Sequence, residues 1–279
     1  MIYAWVAAAF VLFALPFVFR GDMKRGLSRV AKDRRAVLRW EDLGPVPLRE
    51  KRYTPQGMTW VDGRIVFANC WRNTRSRVYR IDPDGMQIEA WFDMPSEAVH
   101  TSGLAYDGVD LWAVDFKSNR CYQIALDASY RQQRAEVLAS FPTGLGGTSA
   151  CCFVPVNGET LLAISDFRRT CRTFLVRHEA AMAAGEMAQH VVASYRNGGF
   201  SQGLEWDGRY LYESENRLGV DVLNELDLDL LLETGDAGRA TRRQFAAPHR
   251  GVEDLAWDGH TMYTSDEVSF SFYRTEMPV

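Results

Sequence analysis

The sequence predicts an all-β protein made of five radial repeats. The first observation is a hairpin at residues 200–216, where Asp207-Gly208 separates two alternating apolar runs, a strong hairpin signal. The second is its recurrence. The aromatic residues that end the first strands lie 46, 47, 53 and 51 residues apart: Trp60, Tyr106, Phe153, Trp206 and Trp257. A repeat of this length with about four strands per copy indicates a five-bladed β-propeller, in which stacked blades bury each other's apolar faces.

The strands of each copy follow one pattern. The second strand ends on a polar residue, a third strand follows a polar loop, and the fourth strand ends on an aromatic residue. The fifth copy stops after its third strand, near Tyr273. We therefore expect an N-terminal strand at residues 35–40, which ends at Trp40, to complete the last blade and close the ring. The predicted propeller spans residues 35–279.

The N-terminal region predicts a membrane anchor. Residues 1–19 are uncharged and apolar, about the length of a bilayer span, so we predict a single transmembrane helix over residues 1–20. A basic juxtamembrane segment follows at residues 21–34. Eight basic and two acidic residues give residues 20–39 a net charge of +6, against −4 for the whole chain. The positive-inside rule then predicts a single-pass cell-membrane protein with its propeller on the cytosolic side, the extracytoplasmic side being the alternative.

Two copies carry insertions between strands three and four. Residues 178–189 are rich in good helix formers and predict a short helix in the third blade. Residues 230–242 contain Gly235 and Gly238 and predict a longer loop in the fourth blade. Both insertions are expected at the end of the blade away from the acidic strand ends.

Two rings of polar residues are predicted to meet at one face of the propeller, where the innermost strands begin and the second strands end. This mouth of the central channel is the expected ligand site. The strand-one starts are Gln56, Ser102, Ser149, Gln202 and Glu253. The strand-two ends are Asn69, Asp115, Asp166, Glu215 and Asp266. The loops that lead into strand one add His100, Gly146, Gly147, Arg196, His249 and Arg250.

Glu253 is the candidate catalytic residue, because it is the one acidic member of the first ring and precedes Asp254, where other copies have Gly or Ala. A poorly hydrated carboxyl has a raised pKa and can act as a general acid or base. The alternative is a salt bridge to Arg250 or a contact with His249. The strand-two ends also have a structural alternative, since Asp, Asn and Glu often accept backbone N–H bonds in the following turn.

Cations recur on the rim two or three residues after the strand-two ends. They are Arg72, Lys117, Arg168 and Arg217. One hypothesis is attraction of an anionic ligand or acidic partner. The other is pairing with acidic residues of neighbouring blades, which contributes little when exposed.

Several templates are absent. Residues 144–149 are rich in Gly but lack the Lys of a phosphate loop, no Ser lies in a GxSxG motif, and the histidines have no metal-binding spacing. The five cysteines show no CxxC spacing. We predict no cofactor, with a divalent metal as an unsupported possibility. The propeller's negative charge argues against nucleic acid.

Two resemblances follow from these motifs. The blade at residues 102–127 resembles repeats of SMP-30/gluconolactonase and NHL-type propellers. The residues Phe200-Ser201-Gln202-Gly203-Leu204, with Leu211-Tyr212-Glu213-Ser214, resemble a motif of the glutamine cyclotransferases, which are five-bladed propellers. In that family a Glu of the next blade is the proposed acid/base, and Glu253 matches it, although Asp254 replaces the following Gly. For the SMP-30 type, Asn69 and Asp115 match only part of a metal-binding set.

Three functions remain open at this point. The first is a non-catalytic module that binds a small or peptidic ligand at the channel mouth. The second is a cyclotransferase-like enzyme that uses Glu253, with Gln202 holding the substrate. The third is a metal-dependent lactonase or esterase.

Overall fold

The computed structural model describes residues 38–48, 53–167, 169–216 and 221–278. Within these residues no helix has the length and apolar character needed to cross a bilayer. The predicted transmembrane helix (residues 1–20) and basic segment (residues 21–34) lie outside the described residues, as do the rim cations Arg168 and Arg217.

Five four-stranded antiparallel sheets form the five predicted blades. Blade 1 contains β2 (Tyr53–Val61), β3 (Arg64–Trp71), β4 (Arg75–Ile81) and β5 (Ile88–Asp93). Blade 2 contains β6 (Thr101–Tyr106), β7 (Leu111–Asp115), β8 (Arg120–Ile124) and β9 (Val137–Pro142). Blade 3 contains β10 (Thr148–Val156), β11 (Glu159–Asp166), β12 (Arg172–Val176) and β13 (Val191–Arg196). Blade 4 contains β14 (Ser201–Trp206), β15 (Leu211–Glu215), β16 (Val222–Leu226) and β17 (Thr241–Ala246).

Blade 5 is completed by the N-terminal part of the chain, as predicted. It contains β18 (Val252–Trp257), β19 (Thr261–Asp266), β20 (Ser271–Glu276) and β1 (Glu41–Pro45), which pairs antiparallel with β20. The closing strand begins at Glu41, so the expected strand at residues 35–40 was placed a few residues early. Trp40 lies just before this strand and does not end it. Its indole Nε1 donates to Ala246 O of blade 4 at 3.2 Å.

The apolar core lies between the blades. Each of five buried clusters draws residues from two neighbouring blades. The aromatic residues that end the innermost strands contribute directly: Trp60 stacks on Tyr263 of blade 5 at 5.2 Å, and Phe153 meets Trp112 of blade 2 edge to face at 5.9 Å. A blade is therefore stabilised mainly by its neighbours, which is why the repeat must close.

Short helices connect strands three and four in three blades. They are α1 (Leu126–Gln132), α2 (His178–Ala184), a 3₁₀-helix (Ala188–His190), α3 (Leu228–Thr234) and α4 (Ala237–Ala240). The helix predicted at residues 178–189 is confirmed. The loop predicted at residues 230–242 is wrong, since that segment is mostly helical. Gly235 is a left-handed C-cap with φ of 61°, and Asp227 and Asp236 accept N-cap bonds, so these residues mark helix ends.

Candidate functional site

The first predicted ring coincides with a β-bulge in every blade. The register between the two innermost strands slips once per blade, between Pro55 and Met58, Thr101 and Gly103, Thr148 and Ala150, Ser201 and Gly203, and Val252 and Leu255. The ring residues Gln56, Ser102, Ser149, Gln202 and Glu253 lie inside these slips. A bulge bends the strand and redirects a side chain. The alignment of the five copies therefore located a β-bulge that all five blades share.

The position after each bulge residue lies where the innermost strands approach most closely. A Cβ on Gly103 would lie 2.6 Å from the Cα of Ala150, and one on Gly57 would lie 2.8 Å from the carbonyl carbon of Gly103. These are impossible contacts with backbone, so blades 1 and 2 require Gly here. In blade 5 the position holds Asp254.

Asp254 joins four blades at the centre of the channel. Its Oδ2 accepts the backbone N–H of Met58 at 2.9 Å and of Leu104 at 3.2 Å, and its Oδ1 accepts that of Leu204 at 3.2 Å. The residue is fully buried. Burial raises the pKa of Asp254 well above its ordinary value, while the backbone N–H bonds oppose that rise. The sequence signal for this residue was only its departure from Gly or Ala.

Glu253 directly precedes Asp254 and is 1% exposed. Gln202 Nε2 donates to Glu253 Oε1 at 3.3 Å and to Asn216 Oδ1 at 2.8 Å. Burial raises the pKa of Glu253 well above its ordinary value. Nearby carboxylates raise the pKa further: Glu267, Asp254, Asp221 and Asp266. The carboxyl therefore holds a proton more readily than an ordinary Glu does.

The alternatives considered for Glu253 were a salt bridge to Arg250 and a contact with His249. The His249 Nδ1 lies 3.4 Å from Asp266 Oδ1 instead, and both His249 and Arg250 are exposed. In the part of the chain that the structure describes, no Lys, Arg or His lies within ion-pairing distance of Glu253. A buried carboxyl without a cation is unusual, because desolvation disfavours its charge.

Asp115 and Asp266, two of the strand-two ends, accept backbone N–H bonds. The Asp115 carboxylate accepts N–H bonds from Lys117, Ser118 and His100 at 3.0, 2.7 and 2.6 Å. Asp266 caps its own loop in the same way. All five ends are fully buried: Asn69, Asp115, Asp166, Glu215 and Asp266. This geometry favours the structural alternative for Asp115 and Asp266.

His100 lies between the side chains of Gln56 and Asn73. Its Nε2 lies 2.8 Å from Gln56 Oε1, and its Nδ1 contacts Asn73 Oδ1. Burial, with a smaller contribution from Lys117, lowers the pKa of His100 to about 4. Cys70 Sγ is 4.0 Å from His100 Nδ1, but burial raises the pKa of that thiol to about 12, so the pair is no activated nucleophile at neutral pH.

A third ring at the mouth was not found from the sequence. The residue that follows each strand-two end in blades 2 to 5 donates its backbone N–H to the loop that leads into strand one, over 2.8–3.1 Å. These residues are Phe116, Phe167, Asn216 and Glu267. Their side chains differ between blades, and that variation after a repeated acidic residue is the signal that could have identified them.

The remaining predicted residues contribute less to the mouth. The Ser102 hydroxyl donates to Thr148 O at 2.6 Å and so joins blade 2 to blade 3. On the rim, Arg72 and Lys117 are exposed. Among the described residues, no group of three or more His, Cys, Asp or Glu side chains is placed to hold a metal ion.

Comparisons with solved structures find the same fold. The chain is similar to the glutaminyl cyclase of Myxococcus xanthus, with 12% identity, a TM-score of 0.60, and coverage of 88% of this chain and 100% of that one. It is also similar to the PQQ-bound aldose sugar dehydrogenase of Streptomyces coelicolor, with 13% identity, a TM-score of 0.50 and coverage of 86% and 81%. No protein-family model and no curated protein matches the chain. These likenesses bear out the five-bladed propeller expected from the cyclotransferase resemblance.

Proposed function

We propose that this protein binds a small or peptidic ligand in the mouth of its propeller channel, with Glu253 as the central polar contact. The observation that carries the proposal is a 99% buried carboxyl at the mouth with no cation partner among the described residues. A side chain of this kind is costly to the fold unless something else uses it. The Gln202 amide orients the carboxyl, since it donates to Oε1.

A second candidate is an acid–base enzyme of the cyclotransferase kind. The Gln202–Glu253 hydrogen bond and the raised pKa of Glu253 favour it, and the fold is shared with a glutaminyl cyclase. In this reaction the α-amine of an N-terminal glutaminyl peptide forms a bond to the side-chain amide carbon, and ammonia leaves. Glu253 would donate a proton to the leaving nitrogen and take one from the attacking amine.

One probe separates the two candidates. Glutaminyl-alanine amide is incubated with the wild-type protein, the Glu253→Gln variant and the control Glu276→Gln, an exposed residue at the opposite face of blade 5. Ammonia release that only Glu253→Gln abolishes supports the enzyme. Calorimetric binding that the same variant weakens, without ammonia release, supports the binding module. If Glu253→Gln leaves both signals unchanged, neither role of Glu253 holds.

The metal-dependent alternative has its own test. Hydrolysis of 4-nitrophenyl acetate is measured before and after treatment with a chelator. Loss of hydrolysis that a divalent metal restores would revive the lactonase or esterase hypothesis, which no group of described side chains carries at present. Hydrolysis unaffected by chelator would remove it.

The membrane anchor also belongs to the proposal. The apolar run at residues 1–19 and the net charge of +6 at residues 20–39 support a single-pass protein whose propeller faces the cytosol. The mouth would then sample ligands on that side of the membrane.

A further inference from the structure

The mouth has two chemically different halves. In the third ring, blades 2 and 3 place Phe116 and Phe167, whereas blades 4 and 5 place Asn216 and Glu267. The bulge residues follow the same division, since Glu253 lies in blade 5. An aromatic half therefore faces a polar, acidic half across one channel.

The aromatic half is a continuous row of partly exposed rings. Phe116 and Phe167 meet edge to face with centroids 6.0 Å apart, and Phe167 and Phe200 meet in the same way at 5.1 Å. His100 extends the row, with its ring 5.2 Å from Phe116. An edge-to-face contact uses one face of one ring and does not involve the opposite face. Such faces carry a negative quadrupole that attracts cations.

Two backbone features hold this row in place. Phe200 has a φ of 58°, a conformation in which a bulky residue is strained, and its N–H donates to Phe167 O at 2.7 Å. A Cβ on Gly147 would lie 2.9 Å from Cε2 of Phe116, so that ring rests directly on the glycine. Strain of this kind is concentrated at functional sites, where the surrounding structure maintains it.

The acidic half carries two carboxyls without counter-charge. Glu253 and Glu267 form no ion pair with any cation in the described part of the chain. Each is flanked by further acidic side chains, among them Asp221 and Asp266. A cationic group placed here would favour the ionised form of these carboxyls and be attracted by it, whereas an anionic group would disfavour that form.

We propose that the ligand of this mouth is an organic ammonium ion with an aromatic group, bound with its ammonium against Glu253 and Glu267 and its ring on Phe116, Phe167 and Phe200. This inference rests on the proposed function, because it takes the mouth as the ligand site and specifies the ligand. Lys117 provides an example within the chain, as its ammonium lies 5.4 Å from the Phe116 centroid, within cation–π range.

The same geometry argues against an anionic ligand at the mouth itself. The rim cations suggested one, but Arg72 and Lys117 are exposed on the rim, whereas Glu253 is buried. An anion that reached the mouth would meet Glu253 and Glu267, which form no ion pair within the described ranges. The charge of the ligand is therefore the property to test.

Four probes test the charge and the aromatic ring of the ligand separately. They are 2-phenylethylamine, the neutral 2-phenylethanol, the anionic 3-phenylpropionate and the ring-free ethylamine, each titrated calorimetrically into the full-length protein. We expect 2-phenylethylamine to bind about tenfold more tightly than any of the others, since both halves must contribute. Equal affinity for 2-phenylethanol or 3-phenylpropionate would overturn the inference.

Matched variants then locate the site. Glu253→Gln and Glu267→Gln should weaken 2-phenylethylamine and leave 2-phenylethanol unchanged, with Glu276→Gln as the control. Phe167→Leu keeps apolar volume but removes the ring, and should weaken 2-phenylethylamine, whereas Phe174→Leu outside the mouth should not. Unaltered affinity in Glu253→Gln, Glu267→Gln and Phe167→Leu would overturn the inference. If glutaminyl-alanine amide binds in a Glu253-dependent way but 2-phenylethylamine binds no better than the other probes, the proposed function holds and this inference fails.

Discussion

Asp254 illustrates how a single side chain can stabilise a closed ring of repeats. The other blades hold Gly or Ala at this position because the innermost strands leave no room for a side chain. Blade 5 instead sends a carboxylate towards the axis, where it accepts N–H groups from blades 1, 2 and 4. These donors face the channel and have no strand partner there. Because one carboxylate accepts all three N–H groups, it couples blade 5 to blades 1, 2 and 4.

We predict that Asp254→Ala is strongly destabilising. The change leaves the buried N–H groups of Met58, Leu104 and Leu204 unsatisfied, at a cost of about 1–3 kcal/mol each. The total is a large part of the roughly 5–15 kcal/mol that stabilises an ordinary domain. Denaturant unfolding measures it, with Asp84→Ala as the control, because Asp84 is exposed and its pair with Arg274 contributes little. Equal unfolding midpoints for the two variants would refute the role of Asp254.

Glu205 should make stability fall as pH rises. Its carboxyl accepts the N–H of Trp206 at 3.0 Å near the centre, and burial raises its pKa from 4.5 to about 8. Since the folded pKa lies above the unfolded one, the stabilisation is complete below about pH 4.5 and is lost as the pH rises through about 8. Thermal unfolding of wild-type protein should therefore shift down between acidic and alkaline buffer more than that of Glu205→Gln. Parallel curves for the two proteins would contradict this assignment.

Individual residues were predictable from the sequence only where the repeat defined their position. Aligning the copies located Glu253 and Gln202, because every blade places a bulge at the same point. It could not give the role of Asp254, whose three donors lie 50, 150 and 196 residues away in the chain. The alignment also did not show that Phe116 and Phe167 are partly exposed while the acidic residues before them are buried. Adjacent residues differ in exposure only once the loop is folded.

At the level of elements, the helices between strands three and four are the main departure from the sequence analysis. Residues 230–242 contain two glycines, which suggested a loop, but α3 and α4 use Gly235 and Asp236 as caps. α1 was not predicted at all. Backbone bridges from Asp93 to Arg134 and from Arg196 to Asp236 join the ends of β5 and β13 to the next blade's insertion. Tertiary contact of this kind can stabilise helices too short to form alone.

The innermost strands should not tolerate a methyl group at their closest approach. In Gly103→Ala the new Cβ would lie 2.6 Å from the Cα of Ala150 and 2.8 Å from the nitrogen of Cys151, so blades 2 and 3 must move apart. Overpacking of this kind costs about 1–3 kcal/mol. Gly85→Ala is the control, because its Cβ meets only flexible side chains, with Asp82 Oδ2 at 3.1 Å and Gln87 Cγ at 3.5 Å. Denaturant midpoints that agree for both variants would show that the inner ring is not tightly packed.

For the whole molecule, ring closure followed from counting strands. Four copies supplied four strands each, and the fifth needed one from elsewhere, which β1 provides. The Glu41 carboxylate receives Nε and Nη2 of Arg274 at 2.7 and 3.2 Å, which fixes β1 against β20. The exact start of the strand was not predictable, because Trp40 resembles the aromatic ends of other fourth strands. Its indole instead packs on blade 4, and only the folded ring brings that blade close.

The charge distribution along the chain leads to the last prediction, which concerns membrane topology. Residues 20–39 carry +6, and the rest of the chain to residue 279 carries −10. Anionic head groups of the cytosolic leaflet attract a positively charged segment, which favours retention of residues 20–39 on that side. Reversing the orientation would require translocation of the basic segment, which the positive-inside rule disfavours.

Reporters fused after Val279 test this orientation. We expect activity from a reporter that works only in the cytosol, and none from one that works only outside it. Substituting the basic residues of positions 20–39 by Gln in the same fusions should reduce the difference in activity between the two reporters, because Lys and Arg near the span determine the orientation. A chain with an external C-terminus would contradict the cytosolic placement. The mouth with Glu253 would then meet extracytoplasmic ligands, and the ammonium and glutaminyl probes should be applied to intact cells.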